Sequence, residues 1–224
     1  VAGWLREHGL SVVLVSVFAG CMAAQVLAGR LQHNDERRQH GEPPVSVREY
    51  LASGHFWEAT AENWESEFLQ MAAYVLLTAG LYQRGSSESK NPDKREAVDR
   101  DPRNARGKAR AEAPGPVRRG GWVLKLYEHS LSLTFVALFM TSFWLHAAGG
   151  TRAHNAEELL HGGASVTVLQ YMATPQFWFE SFQNWQSEFL ALVAMVILSI
   201  WLRQRGSPES KPVDAPHSAT GSSS

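Results

Sequence analysis

The chain is written twice. Shifted by 121 residues it aligns with itself without a gap, 7–90 on 128–211, and 35 of the 84 aligned positions are identical. NWESEF at 63–68 returns as NWQSEF at 184–189, and QRGSSESK at 83–90 returns as QRGSPESK at 204–211. His33-Asn34 returns as His154-Asn155, and His40-Gly41 as His161-Gly162. A self-match at one fixed offset means that one unit is built twice, so the elements of the fold must come in equivalent pairs.

Hydropathy says what those elements are. The stretches 10–29 and 131–150 carry no charged residue. Each is about 20 residues, enough to span roughly 30 Å of hydrocarbon as a helix. Two further apolar blocks, 68–82 and 189–202, cover only about 21–23 Å at 1.5 Å per residue and need residues upstream to span. A mean hydropathy of −0.23 hides this segregation. Arg6 ahead of the first stretch and the alanines inside it also fit a secretion signal. The repeat argues against that, because Ser142 takes the place of Cys21 in a twin stretch far from the N-terminus. Cys21 is the only cysteine, so no internal disulfide forms.

Punctuation locates the helix starts. Ser46 with Glu49, and Thr167 with Gln170, are capping-box pairs that predict short helices through Tyr50 and Tyr171. Thr174-Pro175 reads as an N-cap followed by proline in the first turn, and Ser53-Gly54 is its counterpart. The expected fold is all-α and integral to a membrane. It has four transmembrane helices as two tandem helical-hairpin repeats of parallel orientation, with short extracytoplasmic helices. Repeat 1 is 1–90 (spans about 10–29 and 54–82), and repeat 2 is 121–211 (spans about 131–150 and 175–203). The linker 91–120 and the tail 212–224 are charged or rich in small residues, lack large apolar groups, and are expected to be disordered.

Charge sets the expected orientation. The segment 83–120 has eleven Lys and Arg against six acids, whereas 30–67 has four against eight and 151–188 has one against four. Basic residues near helix ends favour the cytoplasm. The expected location is therefore the inner membrane, multi-pass, with both termini cytoplasmic. Trp57, Trp64, Trp178 and Trp185 form the expected outer aromatic belt.

The repeated motif falls inside a helix at the outer edge of the apolar region. An intramembrane polar cluster is expected from Gln25, Asn63, Ser66, Glu67, His146, Asn184, Ser187 and Glu188. Gln25 aligns with His146, and an antiparallel neighbour brings Gln25 towards Glu67 and Asn63, and His146 towards Glu188 and Asn184. Two readings are open: an interhelical hydrogen-bond clamp, or a proton or cation pathway. His33, His40, His154 and His161 are secondary metal candidates whose spacing fits no short metal motif, and the default for them is a solvent-exposed polar loop. Neither a metal nor another cofactor is expected. No nucleophile elbow, phosphate loop or dinucleotide fingerprint occurs, so no enzyme activity is read. The expected partners are the lipid bilayer and a second copy or another membrane protein, with no nucleic acid.

The two Asn-Trp-x-Ser-Glu-Phe runs and the two Gln-Arg-Gly-Ser-x-Glu-Ser-Lys runs resemble a family of bacterial four-helix membrane proteins known only as a domain of unknown function. The resemblance covers about 4–90 and 122–211. It implies a bacterial cell membrane and supports the fold, and it brings no activity, cofactor or catalytic residue. The functional expectation is a structural or interaction protein of the cell envelope. The alternative is a small ion or proton transporter or channel using the paired intramembrane Glu and His.

Overall fold

The computed structural model describes residues 2–221. Val1 and residues 222–224, the outer ends of the expected repeat 1 and of the expected tail, lie outside the described residues. Among the described residues every regular element is helical. The elements are α1 (Ala2–Gln39), α2 (Val47–Leu51), α3 (Gly54–Gly80), α4 (Gly107–Glu112), α5 (Gly115–Arg119), α6 (Gly121–Glu128), α7 (Ser130–Leu160), α8 (Val168–Met172) and α9 (Pro175–Leu198).

Two helices, α1 and α7, are long and apolar enough to cross a membrane. α3 and α9 fall short of that measure, because the carboxylates and amides of the repeated motif sit within them. α1 and α7 run about ten residues past their uncharged stretches. No proline or glycine interrupts 30–40 or 151–161, so nothing stops either helix until Gly41 and Gly162. Both glycines have φ of +74°, the left-handed conformation that ends a helix without steric cost to a glycine. The histidines expected in a polar loop therefore lie on or directly after helical extensions.

The chain divides into two compact units, 1–61 with 144–177, and 62–143 with 178–224. In the first unit both capping boxes form: Ser46 and Thr167 each accept from the backbone N–H three residues on, while Glu49 and Gln170 reach back to the cap. Ser53 Oγ accepts from the Phe56 N–H at 3.2 Å, and Thr174 Oγ1 from the Phe177 N–H at 3.3 Å, which starts α3 and α9. Tyr50 packs edge-on against Phe56 at 5.7 Å between centroids, and Tyr171 against Phe177 at 5.8 Å. These four rings are almost wholly buried. They anchor each short helix to the long helix that follows it.

In the second unit the two Gln-Arg-Gly-Ser runs build twin loops. Ser89 Oγ accepts from the Gln83 N–H, and Ser210 Oγ from the Gln204 N–H, both at 2.9 Å. Gly85 and Gly206 make the turns at φ of +87° and +84°. The twin lysines then diverge. Lys90 pairs with Asp99 at 2.6 Å. Lys211 is 1% exposed, and its ammonium meets the carbonyls of Gly85, Ile200, His217 and Ala219. Burial, followed by Arg203 nearby, pulls Lys211 below the usual lysine range. This single side chain gathers 212–221 back over the loop at 83–90. The Gly85 N–H donates to Thr220 Oγ1 at 2.8 Å and the Gly221 N–H to the Ser86 carbonyl at 2.9 Å. In the linker, one-turn helices and 3-10 turns form with no residue of theirs buried.

Candidate functional site

The expected polar residues fall into both units, and each set is described in its own surroundings. In the first unit, Gln25 Nε2 donates to Thr60 Oγ1 at 3.1 Å. Thr60 stands seven residues before the expected partner Glu67. The shift follows from the connector: tied to Asn34 at Val45 and set against Gly29 at Tyr50, it runs back along α1 before α3 begins, so Gln25 meets α3 near its start. His146 is fully buried and stacks on Phe177 at 4.8 Å.

The second unit holds Asn63, Ser66, Glu67, Asn184, Ser187 and Glu188. Ser66 Oγ donates to the Asn63 carbonyl at 2.9 Å, and Ser187 Oγ to the Asn184 carbonyl at 2.8 Å. These are local bonds within one helical turn, repeated in each copy. Asn184 Nδ2 donates to the Glu180 carbonyl at 3.0 Å. Between helices, Gln70 Nε2 donates to the Glu188 carbonyl at 2.7 Å. The carboxyl groups of Glu67 and Glu188 lie within hydrogen-bond reach of each other.

The most buried acid of the motif is one that sequence reasoning passed over. Glu65 is 0% exposed, and its Oε1 accepts from the Trp185 indole N–H at 2.8 Å. Glu65 is not repeated: its counterpart Gln186 is exposed. Trp185 is repeated, and was read as a belt residue. Here its ring is held by Phe182 at 5.3 Å, Phe139 at 6.2 Å and Trp178 at 6.4 Å. Trp178 packs on Phe143 at 6.2 Å in the same cluster. Trp57 packs on Phe56 at 5.5 Å in the first unit, and Trp64 is half-buried.

A second repeated contact was also missed. Asn34 Oδ1 accepts from the Val45 N–H at 2.7 Å while its Nδ2 donates to the Val45 carbonyl at 3.1 Å. Asn155 does the same with Val166 at 2.7 and 2.9 Å. A side-chain amide here replaces a strand partner, pinning the returning connector to the helix it has just left. The signal was in the His-Asn repeat, where the asparagine is the structural half. Gly29 and Gly150 are another pair. A methyl on Gly150 would fall 2.6 Å from the Tyr171 hydroxyl, and one on Gly29 would strike the Tyr50 hydroxyl. Tyr171 in turn donates to Glu58 Oε1 at 3.0 Å.

Of the histidine candidates, His33 approaches His55, with ring centroids 5.0 Å apart, and His40 approaches His161 at 6.0 Å. His154 packs on Tyr171 at 5.6 Å.

Duplicated helices, repeated polar contacts and two apolar helices of membrane-spanning length define an all-helical protein with the marks of membrane association. The chain belongs to the family described as "Domain of unknown function (DUF6766)", whose model matches residues 1–222. Comparison with curated proteins and with solved structures gives no match.

Proposed function

We propose that this chain is a structural or interaction protein of the bacterial cell envelope, without catalysis of its own. In this reading α1, α3, α7 and α9 cross the inner membrane with both termini in the cytoplasm, as the excess of basic residues in 83–120 favours. Membrane residence is supported by α1, where Leu10, Val13, Leu14, Val17 and Phe18 are all more than half exposed. Such a surface calls for hydrocarbon or another apolar helix.

The structural role rests on one observation: at and just after the repeated motif, side-chain hydrogen bonds join one helix to another. Trp185 with Glu65, and Gln70 with the Glu188 carbonyl, join helix to helix. A clamp of this kind fixes helix register. It leaves the lipid bilayer and a second copy, or another membrane protein, as partners.

Transport is the second reading, and the approach of Glu67 to Glu188 favours it, since ionisable side chains that meet inside a membrane commonly line an ion or proton path. Proton flux into liposomes carrying the purified chain, beside the Glu67→Gln/Glu188→Gln double variant, separates the two. A structural protein gives no flux in either. Wild-type flux that vanishes in a folded double variant replaces the structural reading with the transport one.

A further inference from the structure

The geometry points to a divalent transition-metal site of the zinc class, built by His33, Glu36 and His55 in the first repeat alone. One ligand atom from each residue lies within 4.8 Å of the other two. Donors held about 2.0–2.1 Å from zinc stand roughly 3.3 Å from one another, so side-chain rotations of about 1 Å close the set. His33 and Glu36 are one turn apart on the extension of α1, with His33 Nδ1 3.9 Å from Glu36 Oε2. His55 enters from the first turn of α3. It arrives there because Asn34, next in sequence to His33, ties the returning connector at Val45.

The chemistry of the set is specific. Two imidazoles and one carboxylate are the ligands of zinc sites that keep a fourth position open. His55 Nδ1 is buried and has no hydrogen-bond partner among the described residues. A buried ring nitrogen without a partner is uncommon in a native fold, and a metal ion supplies one. His33 and Glu36 are partly exposed at 22% and 46% of their side chains, so an ion can enter. The Tyr50 ring lies 5.9 Å from His33 and 6.0 Å from His55 and walls the site on one side.

The duplication supplies an internal comparison. His154, Glu157 and Tyr171 reproduce His33, Glu36 and Tyr50, and His154 packs on Tyr171 as His33 does on Tyr50. At the position of His55 the second repeat has Gln176. A neutral amide is a poor ligand for zinc. The first repeat thus carries the complete site, and the second repeat the same set lacking a single ligand.

The test uses the full chain in detergent, freed of metal with a chelator and titrated with zinc ion alone by calorimetry. Circular dichroism checks that each variant is folded. The wild type is expected to take up one zinc. His55→Gln, which copies the second repeat, and Glu36→Gln, at a partly exposed side chain, are each expected to take up none. Gln176→His is expected to raise the count to two. A wild type that binds no zinc overturns the assignment, as does a folded His55→Gln or Glu36→Gln protein that binds it unchanged.

Discussion

Trp185 donates its indole N–H to the fully buried carboxylate of Glu65 at 2.8 Å, so a residue present in both repeats serves an acid present in only one. Losing the donor leaves a buried oxygen with one partner fewer, and burial makes that loss costly. Trp185→Phe keeps most of the ring and removes the donor. It is expected to lower stability by about 1–3 kcal/mol, read as an earlier thermal midpoint in detergent. Glu65→Gln keeps an acceptor and is expected to lose less. Gln186→Ala, at the exposed counterpart, is expected to change stability by under about 0.5 kcal/mol.

The asparagine ties predict locality. Asn34→Ala removes both bonds to Val45, leaving its N–H without an acceptor and its carbonyl with Arg30 Nε alone, at a cost of about 1–3 kcal/mol. Limited proteolysis is expected to cut faster at 40–46 in this variant and at its usual rate at 161–167. Asn155→Ala is expected to reverse the pattern.

The capping boxes differ in one titratable group, and acid separates them. Glu49 accepts from the Ser46 N–H at 2.7 Å, and its bonds to Ser46, backbone first and hydroxyl second, hold its carboxyl below the usual range. Because the folded value is depressed, its contribution is present above the ordinary carboxylate range, about pH 4.3, and is lost as pH falls through the folded value. Gln170 holds the same position in α8 and does not titrate. Amide exchange at Ser46, corrected for its intrinsic pH dependence, is expected to accelerate between pH 5 and pH 3. Exchange at Thr167 is expected to stay level.

The glycines beneath the tyrosines predict a rescue. Gly29→Ala places a methyl against the Tyr50 hydroxyl, with the ring carbon that bears it 3.0 Å away. Overpacking of this kind costs about 1–3 kcal/mol. Adding Tyr50→Phe removes the nearest atom and is expected to restore much of the thermal midpoint. For Gly150→Ala, another Tyr171 ring carbon is as close as the hydroxyl, at 2.6 Å, so Tyr171→Phe is expected to restore less.

The all-helical character, the capping boxes and the starts of α3 and α9 are legible in the residues, because each depends on neighbours within one turn. What the sequence hides depends on distance across the fold. Helical spacing and the short apolar block below point to Glu67, whereas Glu65, a buried acid whose twin is Gln186, carries no repeat signal. The contact of Gln25 with Thr60 is hidden because the return of the connector along α1, pinned at Asn34 and Gly29, decides the register, and an uncharged stretch ending at 29 does not reveal it. His55 drew no notice for the same reason as Glu65, since Gln176 breaks the pattern. Only the return path pinned by Asn34 brings it beside His33.

Lys211 also sets an order of events during synthesis. The loop it closes on is made early, and Thr220, which takes the Gly85 N–H, follows 135 residues later. The first copy can end its second long helix on its own Ser89 as soon as it leaves the ribosome. Its loop gains the outer layer of contacts only when the last dozen or so described residues arrive. A chain stopped short of Lys211 would hold both sets of long helices and still lack the fastening between the two loops.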